Sequence, residues 1–362
     1  MVLKIVRGRT LPIGVDLGSS AVKLAQLRLS EGGIDLVAMG QAEIPRPCRQ
    51  DASRRLECLC QGIRSVLKGN PFKGQQAILS LPAPDTFVQH VKIPKLPPQE
   101  AALAVRDELQ GKLPCPIEDA IVRHVIAGDV YGEGETRQEA IVVAVPRRTL
   151  EDCLGMARRA KLDVVGVNIE PFAVVECFAR LFKRDDDAHR TVLFVDMGAV
   201  STQVVLAHGR RTIFARNLAM GGDHLDQVIA QKKNVPIEKA QVMRRGLITG
   251  DIDKDQAEEL YRLLDEPLDL VAGEMTMCLR YCESVFRNQS IERAVFVGGE
   301  AADKRLCQSL AQRLSLPAQI GDPLIRVRYT AGWQGPFAMD RRVPQPRWAV
   351  AVGLSLGADQ AA

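Results

Sequence analysis

Apolar and polar positions alternate along residues 11–29 with one break. Ile13, Val15 and Leu17 recur at period two, Gly18-Ser19-Ser20 interrupts, and Val22, Leu24 and Leu27 resume, which predicts strand, tight turn and strand. Asp16 falls inside the first apolar run, a costly place for a carboxylate unless its charge is used. Leu56, Leu59, Ile63 and Leu67 follow at helical spacing over 54–67, and 77–82 reads as a buried strand.

From residue 87 the texture changes. Residues 91–94 read as a short strand, and Pro97-Pro98 open a helix whose stripe is Ala102, Val105, Leu109 and Leu113. Two strands, 121–126 and 140–145, flank a charged, glycine-containing loop at 128–137. A helix over 149–160 carries Leu150, Cys153, Leu154 and Ala157, and 164–169 is again a strand. This β-α-β-β-α-β succession predicts a small inserted subdomain at 87–163.

After a charged stretch at 183–190, read as a linker, the opening pattern returns. A strand at 192–195 runs into Asp196-Met-Gly-Ala-Val-Ser-Thr202 and a second strand at 204–207: strand, Asp, one residue, Gly, hydroxyl-bearing turn, strand. Helices are expected at 223–231, 236–244 and 268–287, the last with Val271, Met275, Cys278, Cys282 and Val285 on one face, a core stripe. A strand at 294–297 ends in Gly298-Gly299, a helix follows at 304–314, and 348–356 closes the chain as strand or helix on the first domain. The expected division is 1–86 with 164–189 and 346–362 as a first domain, 87–163 as the insert, and 190–345 as a second domain with a helical part at about 223–294.

Composition narrows the function classes. At roughly 150 residues per domain, 362 residues make about two domains, and 46% hydrophobic with 25% charged residues is the balance of a folded chain. A net charge of +4, spread in short clusters such as Arg147-Arg148 and Arg341-Arg342, nominates neither nucleic acid nor a membrane surface, and 4% aromatic residues make no stacking platform. Asp196, Glu274, Arg280 and similar charges interrupt every candidate membrane span, and no secretory leader is visible, so no direct membrane insertion is expected. Nine cysteines without a Cys-x-x-Cys pair read as buried thiols of a reducing cytosol. His90, His124, His189, His208 and His224 lack ligand spacing, which excludes a zinc hydrolase.

The chemistry rests on the duplication. Glycine lets a turn approach a polyphosphate closely and aim backbone N–H groups at its oxygens, while an aspartate before it holds Mg²⁺ directly or through water. Two such turns and the Gly298-Gly299 pair after a third strand form an ordered set for gripping one nucleotide.

Ile13-Gly-Val-Asp-Leu-Gly-Ser-Ser20, Val195-Asp-Met-Gly-Ala-Val-Ser-Thr202 and Val295-Phe-Val-Gly-Gly-Glu300 resemble the two phosphate loops and the adenosine loop of the actin, sugar kinase and heat-shock chaperone ATPase superfamily. Ile78-Leu-Ser-Leu-Pro82, Val91-Lys-Ile-Pro94, Ala140-Ile-Val-Val-Ala-Val-Pro146, Val167-Asn-Ile-Glu-Pro-Phe172 and Ala219-Met-Gly-Gly-Asp-His-Leu225 are similar to the PilM family of type IV pilus assembly, over nearly the whole chain. The resemblance implies an α/β actin-like ATPase fold: two duplicated ribonuclease-H-like domains around a nucleotide cleft, with an inserted α+β subdomain. It implies ATP and Mg²⁺ as ligands, with Asp16 and Asp196 toward the metal. Gly18, Ser19, Ser20, Lys23, Gly198, Ser201, Thr202, Gly221 and Gly222 are implied toward phosphate, and Gln241, Arg244, Gly298, Gly299 and Glu300 toward the nucleoside. Glu170, in a Glu-Pro step like that of chaperones and bacterial actin homologues, would orient water.

Two departures from the pattern temper the implied activity. Ala240-Gln-Val-Met-Arg244 stands where many relatives have Ala-Glu-x-x-Lys, so Gln241 would bond ribose and Arg244 stack on adenine, with altered affinity. Ala199-Val200 crowds the second turn, so hydrolysis is expected to be slow at most. The implied partner is the cytoplasmic tail of a PilN-like inner-membrane protein, beside other pilus assembly proteins and self-association. Such a tail would keep the chain cytoplasmic and peripheral to the inner membrane. The alternatives are a cytoplasmic platform component of type II secretion and a small-molecule kinase of the same superfamily; 87–163 offers no obvious carboxylate base for the latter. A division tether of the FtsA type would need a basic amphipathic C-terminal helix, which 353–362 lacks.

Overall fold

The computed structural model describes residues 8–49, 51–131, 136–182, 189–286, 290–329, 340 and 342–357. The linker expectation at 183–188, the loop tip at 132–135 and both chain ends lie outside the described residues.

Two sheets share one topology. In the first, Ile13–Leu17 pairs antiparallel with Ala21–Ser30, which pairs antiparallel with Gly33–Glu43; on its other side Ile13–Leu17 pairs parallel with Gln76–Leu81, and that strand with Asp163–Ile169. The second sheet repeats this with Thr191–Met197, Thr202–His208, Arg211–Leu218, Ile291–Val297 and Ala318–Ile320. The repeat seen between Asp16 and Asp196 in sequence is thus a repeat of five strands. The first sheet gains Arg9–Thr10 and Val327–Tyr329, so a strand from the stretch assigned to the second domain returns to the first.

Ile13–Leu17 is buried at every position because both of its faces are covered. Ile13, Val15 and Leu17 pack in one core with Leu59 and Ile63 of the helix Ala52–Gly69. Gly14 faces the helix Ala349–Gly357, where a side chain would strike the Ala351 carbonyl. Asp16, two residues on, shares that face. The helix Ala349–Gly357 crosses Glu170–Ala179 with Gly353 against the Ala173 carbonyl, an approach that excludes any Cβ. These two helices lie in one core with Val192, Phe194, Val205 and Val295 of the second sheet and Ala25 and Leu27 of the first. They therefore form the joint between the domains. The second sheet's other face carries the helices Gly222–Lys233, Lys254–Val285 and Lys304–Leu314.

The expected β-α-β-β-α-β unit is divided. Phe87–Pro94, Ala120–Tyr131 and Thr136–Pro146 form a separate antiparallel sheet, with the helix Pro98–Glu108 on one face. The helix Arg147–Arg159 instead packs Cys153, Met156 and Ala157 against Leu59 and Ile63, and Asp163–Ile169 joins the first sheet. A parallel neighbour needs a crossover helix, and this is that helix. Much of the expected loop at 128–137 is strand, because the hairpin runs on to Tyr131 and resumes at Thr136. The stripe of Pro98–Glu108 is Ala101, Val105 and Leu109 rather than Ala102.

The long helix begins at Lys254, fourteen residues before its expected start, because Asp253 caps it by accepting from the Gln256 N–H at 2.9 Å. Pro267 lies inside, buried with the core stripe. All nine cysteines are free thiols, six of them buried. Among the described residues no helix is long and apolar enough to cross a membrane.

Candidate functional site

The two Asp-x-Gly turns meet in a cleft between the sheets. It is lined by Asp16, Gly18, Ser19, Ser20, Lys23, Glu170, Asp196, Gly198, Ser201, Gly298, Gly299 and Glu300, all implied by the sequence, and by Ala199 and Val200. Register explains the first half: Asp16 and Lys23 are opposed across the hairpin, and Lys23 Nζ lies 2.8 Å from Asp16 Oδ2. In the second half, Gly198 N–H donates to Ser201 O at 2.9 Å, closing the turn over Asp196.

Gly298 has a φ of +90°, and a side chain there would collide with the Asp196 carboxylate. Only glycine suits both conditions. Its N–H donates to Pro346 O at 3.1 Å, which brings Pro346, Arg347, Ala349 and Val350 to the cleft wall. Sequence reasoning missed these four, and Arg347 is exposed there.

Glu170 occupies the first turn of Glu170–Ala179, with Pro171 starting the helix. Proline fits this N-terminal turn because it lacks the N–H the turn leaves free. Gln203, also missed, donates to Glu170 Oε2 at 3.2 Å and to Asn217 Oδ1 at 3.3 Å. A buried glutamine in the apolar strand Thr202–His208 was the available signal.

Three carboxylates converge. Burial, and then the charges of Asp196 and Asp16, push the Glu170 carboxyl up to about 8; burial and Asp16 push Asp196 up to about 7. Burial works against the Lys23 charge, but Asp16, with Asp196 and Glu170 behind it, carries its pKa above the ordinary lysine value. Such a cluster is short of positive charge. Among the described residues no group of three His, Cys, Asp or Glu side chains is placed to hold a metal alone.

Five implied residues stand behind the wall and do not line it: Thr202, Gly221, Gly222, Gln241 and Arg244. Thr202 Oγ1 donates to Met220 O at 2.7 Å. Gly222 N–H donates to Gly198 O at 3.0 Å, and Asp223 N–H to Ala199 O at 2.7 Å, so this segment braces the second turn. Gln241 is half-buried on the helix Ile237–Thr249. Arg244 is buried and engaged, Nε 2.6 Å from Asp226 Oδ1 and its fork on Glu300. Burial opposes its charge, yet Glu300 and Asp226 more than offset this and hold its proton firmly. With its guanidinium committed, the expected stacking on adenine has no support here.

A second concavity, of about 270 Å³, lies between insert and first domain, among Asp85, Phe87, Leu113, Ala144, Pro146 and Thr149.

A family profile described as "Type IV pilus assembly protein PilM" matches residues 14–358. The fold is shared with the solved "PilM-PilN type IV pilus biogenesis complex", at 22% identity and a TM-score of 0.78, covering 96% of this chain and 98% of that one. It is also shared with the ethanolamine utilization protein EutJ from Carboxydothermus hydrogenoformans, at 14% identity and a TM-score of 0.56, covering 98% and 92%. The actin-like architecture expected from the motifs is the observed one.

Proposed function

Because the chain belongs to the PilM family of type IV pilus assembly proteins, we propose that it is a nucleotide-binding assembly module that docks the cytoplasmic tail of a PilN-like membrane protein. The carrying observation is the convergence of Asp16, Glu170 and Asp196, from three separate elements, beneath two glycine turns. Mg²⁺ would be held by Asp16 and Asp196, and it would draw phosphate oxygens onto the N–H groups of both turns. Lys23 then balances phosphate charge. Gly298 and Gly299 face the nucleoside side, and Glu170, steadied by Gln203, orients a water. A firm base or a free cation aimed at the leaving group supplies several orders of magnitude in phosphoryl transfer. Ala199 and Val200 crowd the second turn where the γ-phosphate would sit, so hydrolysis is slow at most.

The tail's place is the groove at Asp85, Phe87 and Leu113, whose mostly apolar lining suits a short apolar segment. The family match favours pilus assembly over the type II secretion alternative. Calorimetric titration of the whole chain with ATP and Mg²⁺, then with a PilN-like tail peptide, tests both halves. Saturable binding of each is expected. Failure of ATP to bind overturns the nucleotide half, and failure of every such tail overturns the docking half.

A further inference from the structure

The insert is held to the two domains unequally. Against the second domain it presents a buried polar cluster. His90 Nδ1 lies 3.1 Å from Glu139 Oε1, and the Tyr281 hydroxyl of the long helix donates to the same oxygen. His90 Nε2 lies 3.3 Å from both the N–H and the carbonyl oxygen of Ala215. The His90 ring stacks on Phe214 at a centroid distance of 4.6 Å. Around it, Ala127, Val130 and Ile141 of the insert belong to the second domain's core, and Arg211 donates to Ala127 O at 3.1 Å. Glu139 is fully buried, and its second oxygen has no partner. The nucleotide cleft makes no use of any of these side chains.

Toward the first domain the contact is apolar: Val145, with Ile121 and Val143 beside it, packs on the core of Leu59 and Ile63. Two chain crossings, near Pro82 and Pro146, bracket the groove, and Arg55 meets the half-exposed Asp85 beside it at 3.3 Å. The cleft itself holds only about 80 Å³, whereas ligand pockets run to roughly 300 Å³ and above. Loading a nucleotide therefore requires the domains to part.

We infer that the insert travels with the second domain, held by Glu139, His90 and Tyr281, so that the groove beside Asp85 and Phe87 is the joint that changes shape when a nucleotide enters. This rests on the nucleotide and docking reading above and adds the means by which the two sites communicate. Linkage then requires tail and nucleotide to alter each other's affinity by one factor, at least about fivefold for a typical coupling. Glu139, His90 and Tyr281 are positioning residues for it.

The test uses the full chain and a PilN-like tail peptide. Its dissociation constant is measured with and without Mg²⁺·ATP in the wild type, His90→Ala, Tyr281→Phe and Glu139→Gln. The wild-type ratio is expected to fall toward one in His90→Ala and Tyr281→Phe, with the affinity for each ligand alone preserved. Glu139→Gln, which keeps an acceptor for Tyr281, should retain most of the ratio. A wild type that binds both ligands without coupling, or folded variants that keep the full ratio, overturns the inference. Hydrogen exchange on the free protein decides the matter independently of ligands. Strong protection at 137–142 and 211–218 with weak protection at 82–87 is expected. If 137–142 opens as readily as 82–87, the insert is not held as inferred. If ATP and tail both fail to bind while this exchange pattern holds, the functional reading fails and the mechanical one stands.

Discussion

Asp16 and Lys23 face each other across the first hairpin as register partners, and their side chains meet at 2.8 Å on the floor of the cleft. Lys23→Met should weaken Mg²⁺·ATP binding about tenfold, or 1.4 kcal/mol. It should also lower the stability of the free protein by about 1–3 kcal/mol, since Asp16 is left buried without its partner. Calorimetry and urea unfolding on one preparation check both.

Asp196 and Glu170 make the free protein sensitive to pH. Their folded pKa values of about 7 and 8 lie above the unfolded values, near 4. Between roughly pH 4 and pH 8 the folded state binds more protons than the unfolded chain, so stability falls as pH rises through that window. Asp196→Asn should flatten the decline and raise the melting temperature at pH 8. The same change should weaken Mg²⁺·ATP binding by more than tenfold, because a metal-shell carboxylate is lost. Melting curves from pH 5 to pH 8 that coincide for wild type and variant would remove Asp196 from the buried cluster.

Arg244 should matter to stability first. It is shared by Asp226 and Glu300, so Arg244→Ala leaves two carboxylates uncompensated in a buried setting and should cost about 3–5 kcal/mol. Lysine, with one ammonium in place of a planar fork, should not restore it. Equilibrium denaturation of both variants measures this.

Arg347 should behave in the opposite way. It is exposed on the cleft wall, so Arg347→Ala should leave the unfolding midpoint in place. A guanidinium beside a polyphosphate makes charge-assisted contacts, so ATP affinity should fall several-fold, and more at low salt than at high. An affinity unchanged at both ionic strengths would remove Arg347 from the nucleotide's surroundings.

The elements of the chain were legible because their signals are local. A period-two apolar pattern marked Ile13–Leu17, a turn chemistry repeated at Asp196 announced the second sheet, and the stripe from Val271 to Val285 marked the long helix. The cleft's acidic trio and glycine turns could be named because each sits at a fixed offset from a strand end. What the pattern could not give was ownership. Helix Arg147–Arg159 follows the insert's last strand directly, yet its apolar face fits Leu59 and Ile63, and only packing decides between adjacent cores.

The same holds within the site. Arg244 carries a charge that could stack on a base, but the nearness of Asp226, eighteen residues away, and Glu300, fifty-six away, commits it to an ion pair. Arg347 gains the cleft through the bond between Gly298 N–H and the Pro346 carbonyl, and His90, Glu139 and Tyr281 come together from three distant segments. Periodicity reports which face of an element is buried. What that face is buried against is a matter of tertiary contact, because hydrophobic attraction is non-directional and ion pairs form across whatever distance in sequence the fold has closed.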